Sequence, residues 1–411
     1  MTKLRLDSWK SIAGYLERSS RTVQRWHAYH DLPVHHFGGS KGSVFAYAEE
    51  IDRWLVSLAG ETRYGEADVA TALDAAMSRS QELTARAREM WETRSEQNLN
   101  TIAGLYRKAI ELDPGNTRAL TGLADAMIAA ALLGVIDSSL AYPCAMEALR
   151  RTAQLDPEDL EAKSSAAWLN LVYERKWRQA RAHFEEAMIR HPGRSFTLAG
   201  RALLHIAEGD PLEAIKRAWE AWRRNTLVCS LGALVCWSHY LAGDFEQALE
   251  LTSQVQASGG CGCWIGEIEA LALIQTRPAN GSIERIEAMN ARFPQSRTLK
   301  GVLGYACATQ KLPGKAWEIF RELEQMQVQR RNNAYALALI AIGLDLRQDA
   351  AKWLEASYAE GSIWSLGFRC DPVLRQLEGD SRFELLRRRI GTTPGNVVRT
   401  SAPFDRLERA I

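Results

Sequence analysis

The chain has 411 residues, 46% hydrophobic and 25% charged, with a formal net charge of +1. That balance suits two or more packed domains and excludes wholesale disorder or a generally polycationic nucleic-acid coat. Residues 1–58 hold eight Lys/Arg against six Asp/Glu, and four of the eight histidines, so a mild positive excess gathers there. The opening MTKLRLDSWK is charged and lacks the apolar segment of a secretory leader. The longest apolar run, MIAAALLGVI at 127–136, is about half of the ~20 residues a spanning helix needs. With seven cysteines and no framework spacing, the expectation is a soluble cytoplasmic protein with reduced thiols and no membrane contact.

In chain order, SWKSIAGYL (8–16) predicts a short helix with Ser8 as N-cap and Trp9, Ile12, Ala13 and Leu16 on one face. ERSS turns the chain, and Ser19 or Ser20 caps a second helix, RTVQRWHAY (21–29). Val23 and Trp26 face inward there, leaving Arg21, Thr22, Gln24, Arg25 and His27 outside. VHHFGGSKGSVFAY (34–47) reads as a β-hairpin around a glycine-rich turn that carries Lys41. AEEIDRWLVSL (48–58) closes the module with an apolar stripe of Ile51, Trp54 and Leu55.

Helix, tight turn, helix, hairpin wing, helix is the order of a winged helix-turn-helix. The stretches S-W-K-x-I-A-x-Y-L, R-T-V-Q-R-W, L-P-V-H, S-V-F-A-Y and I-D-x-W-L resemble the MerR/excisionase-type DNA-binding module. That resemblance covers residues 6–58 and implies a helix set in the major groove of double-stranded DNA. Base readout then falls to Arg21, Gln24 and Arg25, and phosphate positioning to Arg18, Thr22 and Lys41. Ser20 sits with Thr22 at the helix N-terminus, where phosphate is favoured, and His27 shares the exposed face. Relatives of the module bind DNA as dimers, so a homodimer is expected as well.

Residues 59–82 read as a linker, with AGETRYGEAD (59–68) breaking the pattern. Beyond it the chain is helical and periodic. Ala180, Ala214, Ala248, Ala316 and Ala350 fall on a 34-residue grid, with Ser282 at the missing step. Four residues after each comes a packing position: Phe184, Ala218, Thr252, Ile286, Phe320 and Leu354. The Gly-Asp pairs 209–210 and 243–244 are also 34 apart. This period, with the Leu-Asp-Pro endings of YRKAIELDPGN (106–116) and LRRTAQLDPED (149–159), resembles the tetratricopeptide repeat (TPR) family. The resemblance implies a TPR solenoid over 83–360 whose long groove holds an unknown protein or peptide. AWLNLVY, ALLHIAE, ALALIQT and ALALIAIG are mostly apolar, which favours an apolar or helical partner, or self-association, over a charged C-terminal peptide. Residues 361–391 read as closing cap helices with Arg387, Arg388 and Arg389 on a polar face, and 392–411 as a disordered tail.

The expected fold class is therefore mainly α, an N-terminal winged helix-turn-helix with a small β-hairpin followed by an α-α superhelical TPR solenoid. His27, His30, His35 and His36 suggest zinc, but no cysteine lies in residues 1–58 and the H-x-x-H spacing has no second pair. Cys261 and Cys263 read as loop thiols, and Cys229 and Cys236 as small core residues. No phosphate-binding loop, Rossmann glycine pattern, nucleophile elbow or H-E-x-x-H helix occurs. Neither cofactor nor metal nor enzymatic activity is expected. The leading functional expectation is a DNA-binding transcriptional regulator whose repeats recruit a protein. The alternative is a TPR scaffold or adaptor whose N-terminal module makes protein contacts.

Overall fold

The computed structural model describes residues 4–36, 44–61, 66–190, 192–257, 259, 262–276, 281–328 and 333–390. Lys41 and the tip of the predicted wing, Cys261, and the tail from 391 onward lie outside the described residues. The chain divides into two compact units: residues 1–86 with 105–119, and residues 87–104 with 120–411.

In the first unit, α1 (Trp9–Tyr15) and α2 (Ser20–Tyr29) form the helix-turn-helix. Ser8 and Ser19 are their N-caps, accepting from the backbone N–H of Ser11 and Thr22. Such a hydroxyl satisfies one of the orphan donors of a first helical turn. The predicted hairpin is part of a three-stranded antiparallel sheet of β1 (Arg5–Leu6), β2 (His35–His36) and β3 (Val44–Tyr47), with β3 in the middle. His35 pairs with Phe45 on one side, and Arg5 with Tyr47 on the other. Then α3 (Ala48–Glu61) follows, and Ile12, Val23, Trp26, Val44, Ala46, Ile51 and Trp54 close one small core. The long helix α4 (Glu66–Trp91) and α5 (Leu99–Leu112) come next. Within this unit Ser80 Oγ donates to the Ala109 carbonyl at 2.7 Å, and Asn116 Nδ2 donates to Ser80 Oγ and Thr84 Oγ1.

The chain continues through α6 (Thr117–Leu132) and α7 (Ser138–Leu155) into paired helices. The first helices of the pairs are α8 (Leu160–Val172), α10 (Ser195–Glu208), α12 (Cys229–Ala242), α14 (Cys263–Thr276), α16 (Arg297–Thr309) and α18 (Ala334–Gly343). The second helices are α9 (Trp177–Arg190), α11 (Pro211–Arg224), α13 (Phe245–Ala257), α15 (Ser282–Arg292), α17 (Pro313–Val328) and α19 (Arg347–Ala359). All six grid positions are buried on the second helices, as are the six positions four residues later. A side chain no larger than Ala or Ser at the crossing lets two backbones approach, and the residue one turn on fills the gap beyond it. The first helices are buried almost all round: Ala334–Ile342 of α18 and Trp264–Ile274 of α14 are buried without a break.

Among the described residues, the turn inside five of the six pairs is repeated as closely as the alanines. Arg175, Gly209, Gly243, Lys311 and Asp345 lie on the same 34-residue grid, and each has a positive φ between 56° and 90°. In four of the five, the next residue donates its N–H to a carbonyl five positions back: Asp210 to His205, Asp244 to His239, Leu312 to Cys307 and Leu346 to Ala341. This is the Schellman ending of a helix, for which glycine is the unstrained choice. A lysine in the left-handed region costs about 1–2 kcal/mol. Lys311→Gly is therefore expected to raise the unfolding free energy by up to ~1 kcal/mol, because the strain relieved exceeds the unfolded-chain entropy gained. Gly243→Ala is expected to lower it by about 1–2 kcal/mol, and urea denaturation of the two variants measures both.

Candidate functional site

The first unit places the expected DNA-contacting residues unequally. Arg21 and Gln24 are exposed on α2. Ser20 is half-buried, and Thr22 Oγ1 shares a 2.8 Å hydrogen bond with Ser19 Oγ. Arg18 donates to the Glu17 carbonyl and lies 3.4 Å from Asp74. The Arg25 guanidinium turns away from solvent: it pairs with Asp113 at 3.0 Å and lies against the Met77 sulfur. With Asp113 buried, this pair is a packed contact of the fold. A Cβ on Gly115 would strike the Arg25 stem, so a glycine there gives the arginine its bed. His27 Nδ1 is 2.8 Å from the Leu32 carbonyl, with its ring between Trp9 and His36. Arg21 and Gln24 thus remain as the exposed, unengaged members of the expected set with a described position.

In the second unit the site is the inner face made by the first helices. The C-terminal segment lies on that face. Its two 3₁₀ turns, Ile363–Gly367 and Val373–Leu377, pack on α10 and α18, and α20 (Ser381–Arg389) follows with Asp380 as its N-cap. Asp371 is the buried anchor of the segment. Tyr240 of α12 donates to its Oδ1 at 2.9 Å, Tyr335 of α18 to its Oδ2 at 2.6 Å, and the Val373 N–H to Oδ1 at 3.1 Å. Burial raises the pKa of this carboxyl, and the two hydroxyls and the N–H oppose the rise. Buried Arg175 donates to Ser365 Oγ at 2.7 Å, and Trp364 stacks on Tyr335 and meets Trp237 edge-on.

Beside this segment the inner face keeps a cavity of about 510 Å³. Its walls come from the Ala131–Ser138 loop, the start of α14, the Gln295–Thr298 turn, the start of α18 and the Glu360–Trp364 bend, with Glu96 at one side. The Cys263 N–H donates to Glu96 Oε2 at 3.0 Å. A Cβ on Gly262 would fall 1.8 Å from the Glu96 carboxylate carbon, so this close approach requires glycine. Glu267 lies deeper, accepting from Ser296 Oγ. Burial raises the pKa of Glu96, and pushes that of Glu267 up to about 7, with the neighbouring Glu96 adding to the rise. Burial also lifts the Cys263 thiol far above its ordinary range, which makes it inert at neutral pH. Cys229, read as a reduced core thiol, is instead disulfide-bonded. Among the described residues no group of three or more His, Cys, Asp or Glu is placed to hold a metal. Nor is any described helix long and apolar enough to cross a membrane.

Paired helices at a 34-residue spacing, with small buried residues at each crossing, make the second unit a TPR-like α-solenoid. Solved structures resemble it at low identity. One is the APC/C hetero-tetramer Cut9–Hcn1, at 14% identity over 83% of this chain and 59% of that one, TM-score 0.49. Another is a tetratricopeptide repeat protein from Parabacteroides merdae, at 13% over 64% of this chain and 99% of that one, TM-score 0.42. A third is the human IFIT1 dimer with PPP-AAAA, at 13% over 92% and 85%, TM-score 0.49. The chain thus spans about three fifths of the Cut9–Hcn1 chain it matches. No family model and no curated protein matches the sequence.

The Glu267 carboxyl makes stability depend on pH. Its pKa is about 7 in the folded chain against a usual 4.5, so the folded state holds a proton that the unfolded state lacks between those values. The stability this provides is complete below pH 4.5 and is lost as pH rises through 7. Glu96, Asp125 and Asp371 shift in the same direction. Urea denaturation at pH 5.0 and 7.5 is expected to show lower stability at the higher pH, and Glu267→Gln to remove up to ~3 kcal/mol of that difference.

Proposed function

We propose that the chain is a non-catalytic interaction scaffold whose repeat array takes part of a protein partner into the cavity on its inner face. The observation that carries this is the cavity itself. A TPR-like solenoid offers its first helices as a binding surface. Here that surface holds an open space large enough for one or two side chains, mixing aromatic walls with carboxyl groups, Glu267 among them buried. A photo-crosslinking residue placed at Gln97 or Gln295, both lining the cavity, is expected to trap one discrete partner in the native cell. The same residue at exposed Glu185 of α9 is expected to trap none. Equal labelling from both faces would remove the reading.

A second reading concerns the first unit, where a MerR/excisionase-type module would contact double-stranded DNA and make the protein a transcriptional regulator. What supports it is α2, the second helix of a helix-turn-helix, presenting Arg21 and Gln24 to solvent. These side chains suit guanine and adenine edges in the major groove. Ser20 and Thr22 at the α2 N-terminus, with Arg18 and Lys41, would position phosphates. With Arg25 held by Asp113, this proposal gives Arg25 the task of bracing α2 while Arg21 and Gln24 read bases. Selection from random duplexes by the full chain is expected to enrich one sequence. Arg21→Ala and Gln24→Ala are each expected to weaken binding to it about tenfold or more. Failure to enrich any sequence, or unchanged affinity in both variants, would contradict it.

A further inference from the structure

The walls of the inner-face cavity are unbalanced in charge. Among the described residues, Glu96, Asp137, Glu267 and Glu360 line it against one arginine, Arg297. Acidic clusters are common on protein surfaces, so a second feature decides what this one is for. Asn333 is 3% exposed and lines the same cavity. Its Nδ2 donates to the Leu323 carbonyl at 2.6 Å, which fixes the amide's orientation, and its Oδ1 accepts from no described residue. A buried acceptor without a donor carries an uncompensated desolvation cost, so a ligand that brings a donor recovers that loss on binding. Carboxylates together with an orphan acceptor describe a site for something with several N–H donors and a positive charge.

The remaining walls fit the same chemistry. Trp264, Tyr335 and Trp364 line the cavity, and Tyr335 and Trp364 are stacked with centroids 5.3 Å apart. Aromatic faces attract cations, most strongly where water is excluded. Leu132, Val135 and Ile363 complete an apolar wall along which an alkyl stem can lie. Half-buried Glu96 and buried Glu267 are both held up in pKa by desolvation, so each gains a counter-charge when a cation enters. Among the described lining residues, an anion would meet four acids and the orphan acceptor, against Arg297 and the Trp264 indole N–H, which donates to no described acceptor.

We propose that this cavity binds an alkylammonium or alkylguanidinium group, with Glu267 and Asn333 Oδ1 accepting its N–H donors and the Tyr335–Trp364 pair flanking its stem. The inference rests on the partner-binding reading for the source of the cation, a Lys or Arg side chain of the partner. The cavity's chemistry stands apart from that reading. The test is calorimetric titration of the full chain with N-acetyl-lysinamide and N-acetyl-argininamide, with cadaverine as a free amine and uncharged N-acetyl-norleucinamide as control.

At least one of the three cations is expected to bind ten times or more tighter than the norleucine control. Glu267→Gln is expected to remove that preference, and Glu267→Asp to restore part of it, with circular dichroism confirming that both variants fold. Preference for the capped residues supports a side chain of the partner as the source. Binding of cadaverine alone supports the cation site and removes the partner as its source. Equal affinities for cations and control, or an unchanged preference in folded Glu267→Gln, would overturn the inference whatever the crosslinking shows.

Discussion

Two helices joined by a turn of two to four residues can lie side by side only if the chain reverses sharply and nothing bulky stands at the crossing. Both conditions recur here on a 34-residue grid, the reversal at five of its six steps among the described residues. A left-handed residue reverses the chain at Arg175, Gly209, Gly243, Lys311 and Asp345. A buried Ala or Ser occupies the crossing at 180, 214, 248, 282, 316 and 350. Because the two devices keep the same spacing, each pair presents its first helix in the same way. The inner face and its cavity follow from that repetition.

The inner face then determines what the C-terminal segment can do. A capping sequence needs only to cover the last apolar helix. This one also reaches Tyr240, in the third of the six pairs and so the fourth from the C-terminal end, through the buried carboxylate of Asp371. A carboxylate in such a place is tolerable only when its lone pairs are satisfied, and two tyrosine hydroxyls with one backbone N–H do so. The segment therefore covers part of the surface a partner would otherwise use, and the cavity is what it leaves open.

Much of this was legible in the sequence, for a physical reason. The alanine grid and the positions four residues later are local and periodic, and every one proved buried. The caps Ser8 and Ser19 and the core residues Val23, Trp26, Ile51 and Trp54 likewise follow from helical spacing. The turns were half legible. Gly209 and Gly243 announce them, but Arg175, Lys311 and Asp345 adopt the same conformation without glycine's signature. What escaped was non-local. Arg25 reads as an exposed cation of α2 because its partner, Asp113, is 88 residues away. Asp371 lies 131 residues from Tyr240, and Glu96 lies 167 from Cys263. The two-residue strand Arg5–Leu6 is too short to alternate, so only its pairing with β3 reveals it.

The central claim is that the C-terminal segment is a fixed part of the inner face, held through Asp371 and framing the cavity. Hydrogen exchange of the native full-length chain tests it directly. The amides of Cys370, Asp371 and Leu374 donate to Gly367 and Asp371 carbonyls within the segment. They should exchange as slowly as those in the middle of α12 and α18, and Asp371→Ala should quicken them while leaving α9 and α11 unchanged. Fast exchange of these three amides in the native protein, with α12 and α18 still protected, would contradict the account.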